Sequence, residues 1–124
     1  MNDFRTLLAY QKAFMLAMEI FKISKGFPKE EKYSLTDQIT RSSRSVCACI
    51  GEAYRKRRFQ AHFISKLTDS DMENTETQVW LDFCLSCKYI ERIKYEELVE
   101  KSEEVGKLIY FMINNPEKFN LKTK

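Results

Sequence analysis

The sequence predicts an all-α protein, an antiparallel up-down-up-down four-helix bundle, and three observations carry that prediction. Apolar residues recur at steps of three and four through four long segments. Only three glycines and two prolines interrupt 124 residues, of which 44% are hydrophobic and 31% charged, a balance that suits long helices better than a turn-rich sheet. The segments are joined by short connections, which set consecutive helices antiparallel. The length accommodates a single domain, 1–124, with a real core and is too short for two ordinary ones.

Helix one is expected from about Asp3 to Lys25, with Asp3 as its cap and Gly26 and Pro28 as stop signals. Its apolar arc runs through Leu7, Ala9, Tyr10, Ala13, Phe14, Leu16, Ala17, Ile20 and Phe21. That is about half the circumference, whereas a surface helix covers its core with a stripe of roughly 100°, so a second buried contact is expected. Helix two follows from about Leu35 to Arg58, capped by Ser34 or Thr36, and buries Leu35, Ile39, Ser43, Val46, Ile50 and Ala53. The chain then reverses near Arg58 to Gln60 without Gly or Pro.

Helix three is expected over about Ala61 to Lys88, with Phe63, Leu67, Ser70, Asn74, Gln78, Leu81 and Leu85 on one face. Ser70, Asn74 and Gln78 make the middle of that face polar. A buried amide or hydroxyl left without a partner costs roughly 1–3 kcal/mol, so a hydrogen-bonded layer across the bundle is expected. Helix four, about Tyr95 to Asn114, repeats the pattern with Leu98, Ser102, Val105, Ile109 and Met112 and ends before Pro116. The tail from about 117 to 124 is expected to be loose.

Helix two also carries the chemistry that stands out. Arg41, Arg44, Arg55 and Arg58 fall within about 100° of one another on an ideal helix, and Arg55-Lys56-Arg57-Arg58 ends the segment. These six residues are the candidate nucleic-acid contacts, because guanidinium groups offer forked donors to phosphate oxygens. A plainer reading competes with this one. Cations near a helix C-terminus are stabilised by its dipole by about 0.3–1 kcal/mol, and Asp37 and Glu52 stand close enough in sequence to pair with Arg41 and Arg55. The net charge of +3 does not by itself demand a nucleic-acid partner. Acidic residues collect elsewhere, at Asp69, Asp71, Glu73 and Glu76, either as a solvated face or as a complement to the basic zone of a neighbouring subunit.

Other chemistry finds little support. Cys84 and Cys87 have C-x-x-C spacing but lie in an expected helix, and Cys47 and Cys49 are about 200° apart on theirs, so buried inert thiols are expected and no metal or cofactor. His62 has no nucleophile beside it, there is no glycine-rich phosphate loop, and Gly51 reads as a site of close helix approach. No catalytic residues and no enzyme activity are expected. The chain has no apolar run of about 18 residues to span a membrane, and its first residues lack the order of a secretion signal. A cytoplasmic location is therefore expected.

Several separated pieces share their order and spacing with one family. They are Tyr10-Gln11-Lys12-Ala13; Phe27-Pro28 with Glu31, Tyr33, Leu35, Gln38-Ile39 and Arg41; Ser45-Val46 with Ile50-Gly51-Glu52-Ala53; Phe63-Ile64 with Lys66-Leu67; and Glu73-Asn74-Thr75-Glu76 with Trp80-Leu81. The chain resembles the four-helix-bundle family that includes proteins encoded inside 23S rRNA intervening sequences, also labelled S23 ribosomal protein. The resemblance implies a homopentameric ring of bundles with a basic surface and RNA or another nucleic acid as partner. A related branch, the accessory proteins of diversity-generating retroelements, adds a reverse transcriptase as a further partner. The sequence departs from the family at helix two, where an Asn-Ile-Ala-Glu-Gly-like run reads Cys49-Ile50-Gly51-Glu52-Ala53, which removes any role for the usual Asn. Two functions follow as expectations: an oligomeric protein that binds RNA through phosphates, or an oligomeric protein-interaction scaffold that touches nucleic acid little.

Overall fold

The computed structural model describes residues 3–120. Four helices form in order, α1 (Leu8–Ser24), α2 (Leu35–Arg55), α3 (Gln60–Ser86) and α4 (Arg92–Asn114), with short 3-10 turns at Phe4–Thr6, Lys29–Glu31 and Pro116–Lys118. Each helix packs on two neighbours, α1 on α2, α2 on α3, α3 on α4 and α4 back on α1. Contacting residues run in opposite directions along every pair. Ser42 meets Thr77 while Glu52 meets Lys66, Asn74 meets Ser102 while Asp82 meets Tyr95, Lys12 meets Glu104 while Glu19 meets Lys94, and Phe21 meets Arg44 while Phe4 lies on Gly51. The bundle is therefore up-down-up-down.

The core divides into two apolar halves with polar groups between them. One half gathers Ala13, Val46, Ile50, Phe63, Leu67 and Ile109, and the other gathers Leu16, Ile20, Ile39, Leu81 and Leu98. Between them the Ser102 hydroxyl donates to Asn74 Oδ1, the Asn74 amide donates to the Ser102 carbonyl and the Gln78 amide donates to the Ser102 hydroxyl, each at 2.9 Å. Ser70 donates to the Val46 carbonyl at 2.9 Å, and Ser42 and Thr77 share a 2.8 Å hydrogen bond. The expected layer is thus present and reaches further than expected. Thr77 is fully buried and Gln78 only partly, and Cys84 fills the core position expected of Leu85.

Some boundaries differ from expectation for physical reasons. Asp3 caps the 3-10 turn rather than α1, accepting from the Arg5 amide at 2.9 Å, and extended backbone at Leu7 separates that turn from the helix. The turn lays the Phe4 ring on Gly51, so the nearest neighbour of this glycine is an aromatic side chain rather than the backbone of another helix. At the start of α2 neither Ser34 nor Thr36 caps the helix with its side chain. Glu31 does so, accepting from the Leu35 amide at 3.2 Å, and the Ser34 hydroxyl donates to the same carboxylate oxygen. At the other end α2 stops at Arg55 rather than Arg58. Beyond Asn114, Pro116–Lys118 turns and Phe119 packs against Phe63 at 6.1 Å, so the first residues of the expected loose tail are in contact with the bundle. Residues 121–124 of that tail lie outside the described residues.

Candidate nucleic-acid interface

The cations of α2 separate into two groups because the helix ends early. Arg41, Arg44 and Arg55 lie on its outer surface, whereas Lys56, Arg57 and Arg58 occupy the four-residue turn into α3. Arg41, Arg44, Arg55, Lys56 and Arg58 are exposed and Arg57 is half-buried. Of the ion pairs anticipated for them, Arg41 to Asp37 forms at 3.9 Å between two largely exposed side chains, a geometry that contributes little. The Arg55 pair does not form. Glu52 turns towards α3 and meets Lys66 at 3.1 Å, a contact that raises the lysine's pKa. Among the described residues, Arg44, Arg55, Lys56, Arg57 and Arg58 make no ion pair.

Aromatic rings set the positions of several cations. The Arg44 guanidinium lies 5.2 Å from the centre of the Phe21 ring, and Lys25 lies 4.8 Å from the same ring. Arg57 stacks on Tyr54 at 3.8 Å and donates to the Tyr54 carbonyl at 2.8 Å. Arg57 therefore has a structural task, adding a side-chain hydrogen bond to a carbonyl in the last turn of α2 that its own amide reaches only at 3.3 Å. Lys56 and Arg58 have no such task. Beside them Phe59 is 60% exposed, and its ring lies 6.0 Å from that of His62. Sequence reasoning passed over Phe59, although an aromatic residue directly after four consecutive cations was the available signal. An exposed ring among unpaired cations offers phosphate contact and a stacking surface for a base in one place.

Between α1 and α2 a groove of about 650 Å³ stays open, lined by Phe4, Tyr10, Phe14, Met18, Cys47 and Gly51, with Arg44, Glu52 and Arg55 along its edge. The wide apolar arc of α1 ends here. The acidic residues lie on α3, where Asp69 and Glu73 come close enough to Cys49 of α2 to act on its thiol. Asp69 comes within 3.8 Å of Lys66, Asp71 is exposed, and burial together with the neighbouring Glu76 and Asp69 raises the pKa of Glu73.

The thiols are scattered: Cys47 lines the groove, Cys84 lies in the core, and Cys49 and Cys87 are half-buried and exposed, so only two of the four are the buried thiols expected. All four cysteines are free, and burial pushes Cys47 up to about 11 and Cys84 up to about 12, which keeps both as neutral thiols. Among the described residues no group of three or more His, Cys, Asp or Glu side chains is placed to hold a metal ion, and no helix is long and apolar enough to cross a membrane.

Residues 5–111 match the sequence profile of the 23S rRNA-intervening sequence proteins. Among solved structures the chain is similar to a Bacteroides thetaiotaomicron protein of unknown function from the S23 ribosomal protein family. The two share 30% sequence identity and a TM-score of 0.77 over 86% of this chain and 96% of the other. No curated protein matches the chain.

Proposed function

The chain belongs to the 23S rRNA-intervening sequence protein family, and from that premise we propose that it is a non-enzymatic, homo-oligomeric protein that binds RNA at the cationic α2–α3 turn. The observation that carries this reading is the exposed Lys56 and Arg58 beside the exposed Phe59 ring, with Glu52 engaged by Lys66 and so unavailable to neutralise them. Phosphates supply most of the affinity in such contacts, and their neutralisation releases counterions. Sequence discrimination is weak, because no side-chain pattern reads base edges. Arg41 and Arg57 extend the positive surface, Arg57 with its guanidinium already fixed on Tyr54. Oligomerisation is supported by the uncovered α1–α2 groove, and it would repeat the basic turn in every subunit, so that weak contacts add through avidity.

The test is filter binding of a hairpin RNA at several salt concentrations, comparing the natural protein with Lys56→Ala combined with Arg58→Ala. Both residues are exposed and neither holds the fold. The double variant is expected to bind more weakly and to lose roughly 0.7–0.9 from the log–log salt slope for each phosphate contact removed. An unchanged affinity and slope would move the protein to the scaffold reading, in which the assembly recruits a protein partner.

A further inference from the structure

The α1–α2 groove leaves apolar surface uncovered, with Phe14 49% and Met18 39% exposed between Arg44 and Arg55. Contiguous apolar patches of this kind on soluble proteins mark interaction sites. A surface of matching character lies on α3. Met72, Val79 and Phe83 are 64%, 43% and 52% exposed, and steps of seven and four place them on one stripe of the helix. Asp71 and Asp82 flank that stripe on one side, both exposed. The Tyr95 hydroxyl occupies Asp82 Oδ1 and leaves Oδ2 free.

The spacings agree. Asp71 and Asp82 are eleven residues apart, as are Met72 and Phe83, and as are Arg44 and Arg55 across the groove. Eleven residues are about three turns, roughly 16 Å at 1.5 Å per residue, and return to nearly the same face. Within one chain α3 packs on α2 and α4 and never on α1, so its outer stripe cannot fill the groove of its own molecule.

We propose that the groove receives the outer face of α3 from a second copy of this chain, with Met72, Val79 and Phe83 covering Phe14 and Met18, and Asp71 and Asp82 meeting Arg44 and Arg55. This deepens the oligomeric reading above and rests on it. The two surfaces occupy different sides of the bundle, so the contact is head-to-tail and each subunit both gives an α3 and receives one. Apolar burial supplies the attraction, and the two ion pairs fix register and exclude other partners. Arg44 and Arg55 then serve assembly, while Lys56 and Arg58 stay free for phosphate.

Light scattering on four proteins tests this, with circular dichroism to verify the helices: the natural chain, Arg44→Glu with Arg55→Glu, Asp71→Arg with Asp82→Arg, and the chain carrying all four substitutions. The natural chain is expected to be a multimer, each double variant to fall to the mass of one chain, and the fourfold variant to recover the multimer. Double variants that keep the natural mass, or a helical fourfold variant that stays monomeric, would overturn the interface and leave oligomerisation standing. A natural chain that is monomeric at micromolar concentration would overturn both.

Discussion

Lys88 adopts a φ of 64°, the single non-glycine residue in the left-handed region among those described. It does so because α3 ends in a Schellman arrangement, with the Tyr89 amide donating to the Cys84 carbonyl and the Lys88 amide to the Leu85 carbonyl, both at 2.9 Å. A Cβ in this conformation costs energy that glycine avoids, so Lys88→Gly is expected to raise stability by about 0.5–1 kcal/mol in urea unfolding. An unchanged or lowered midpoint would show that the lysine side chain compensates for its backbone. The sequence contains no glycine to announce this turn, and so helix three reads as running through Lys88. The same difficulty hides the cap of α2. Ser34 stands at the position where a capping hydroxyl belongs, but Glu31 is placed by the 3-10 turn and takes the role. Hydrogen bonds from Ser34 first, then from the Tyr89 hydroxyl and the Leu35 amide, lower its pKa. A carboxylate fixed by a hydroxyl 58 positions away cannot be read from local pattern.

At the level of helices, periodicity made the four segments and their buried faces legible, and Gly26, Pro28 and Pro116 marked ends that the structure keeps. The polar layer was legible in part. Ser70, Asn74 and Ser102 stand in phase with apolar neighbours and so declare themselves, whereas the Ser42–Thr77 bond depends on how α2 and α3 are set against each other. The packing of α1 on α4 follows from the expected bundle, but the ion pairs that join the two helices were not legible. They include those of Glu19, a half-buried carboxylate that Lys101 approaches at 2.7 Å and Lys94 at 2.9 Å. Burial opposes ionisation of Glu19, but the two lysines outweigh it and pull its pKa from the ordinary 4.5 to about 2. Because the folded value is depressed, the contribution is complete above about pH 4.5 and is lost as pH falls towards 2. Glu19→Gln is accordingly expected to lower stability near pH 6 and to match the natural protein near pH 2, as followed by thermal unfolding across that range. A constant difference at every pH would mean that the lysines do not hold the carboxylate ionised.

For the molecule as a whole, charge is segregated far more sharply than a net charge of +3 implies. Cations occupy the outer side of α2 and its turn, and carboxylates occupy α3. The basic cluster was legible as a run of residues, but its division was not, because nothing in Arg-Lys-Arg-Arg ends a helix. The helix stops there because Arg57 folds back onto Tyr54 and Phe59 begins the next helix, and this exposes Lys56, Arg58 and Phe59 together at the tip of the bundle. Ultraviolet crosslinking of the natural protein to a uridine-rich hairpin RNA, with the adducts mapped by mass spectrometry, tests the central claim most directly. Adducts are predicted on the segment from Lys56 to His62, with Phe59 the principal site; adducts confined to the outer face of α3 and α4, or none at all under saturating RNA, would contradict it.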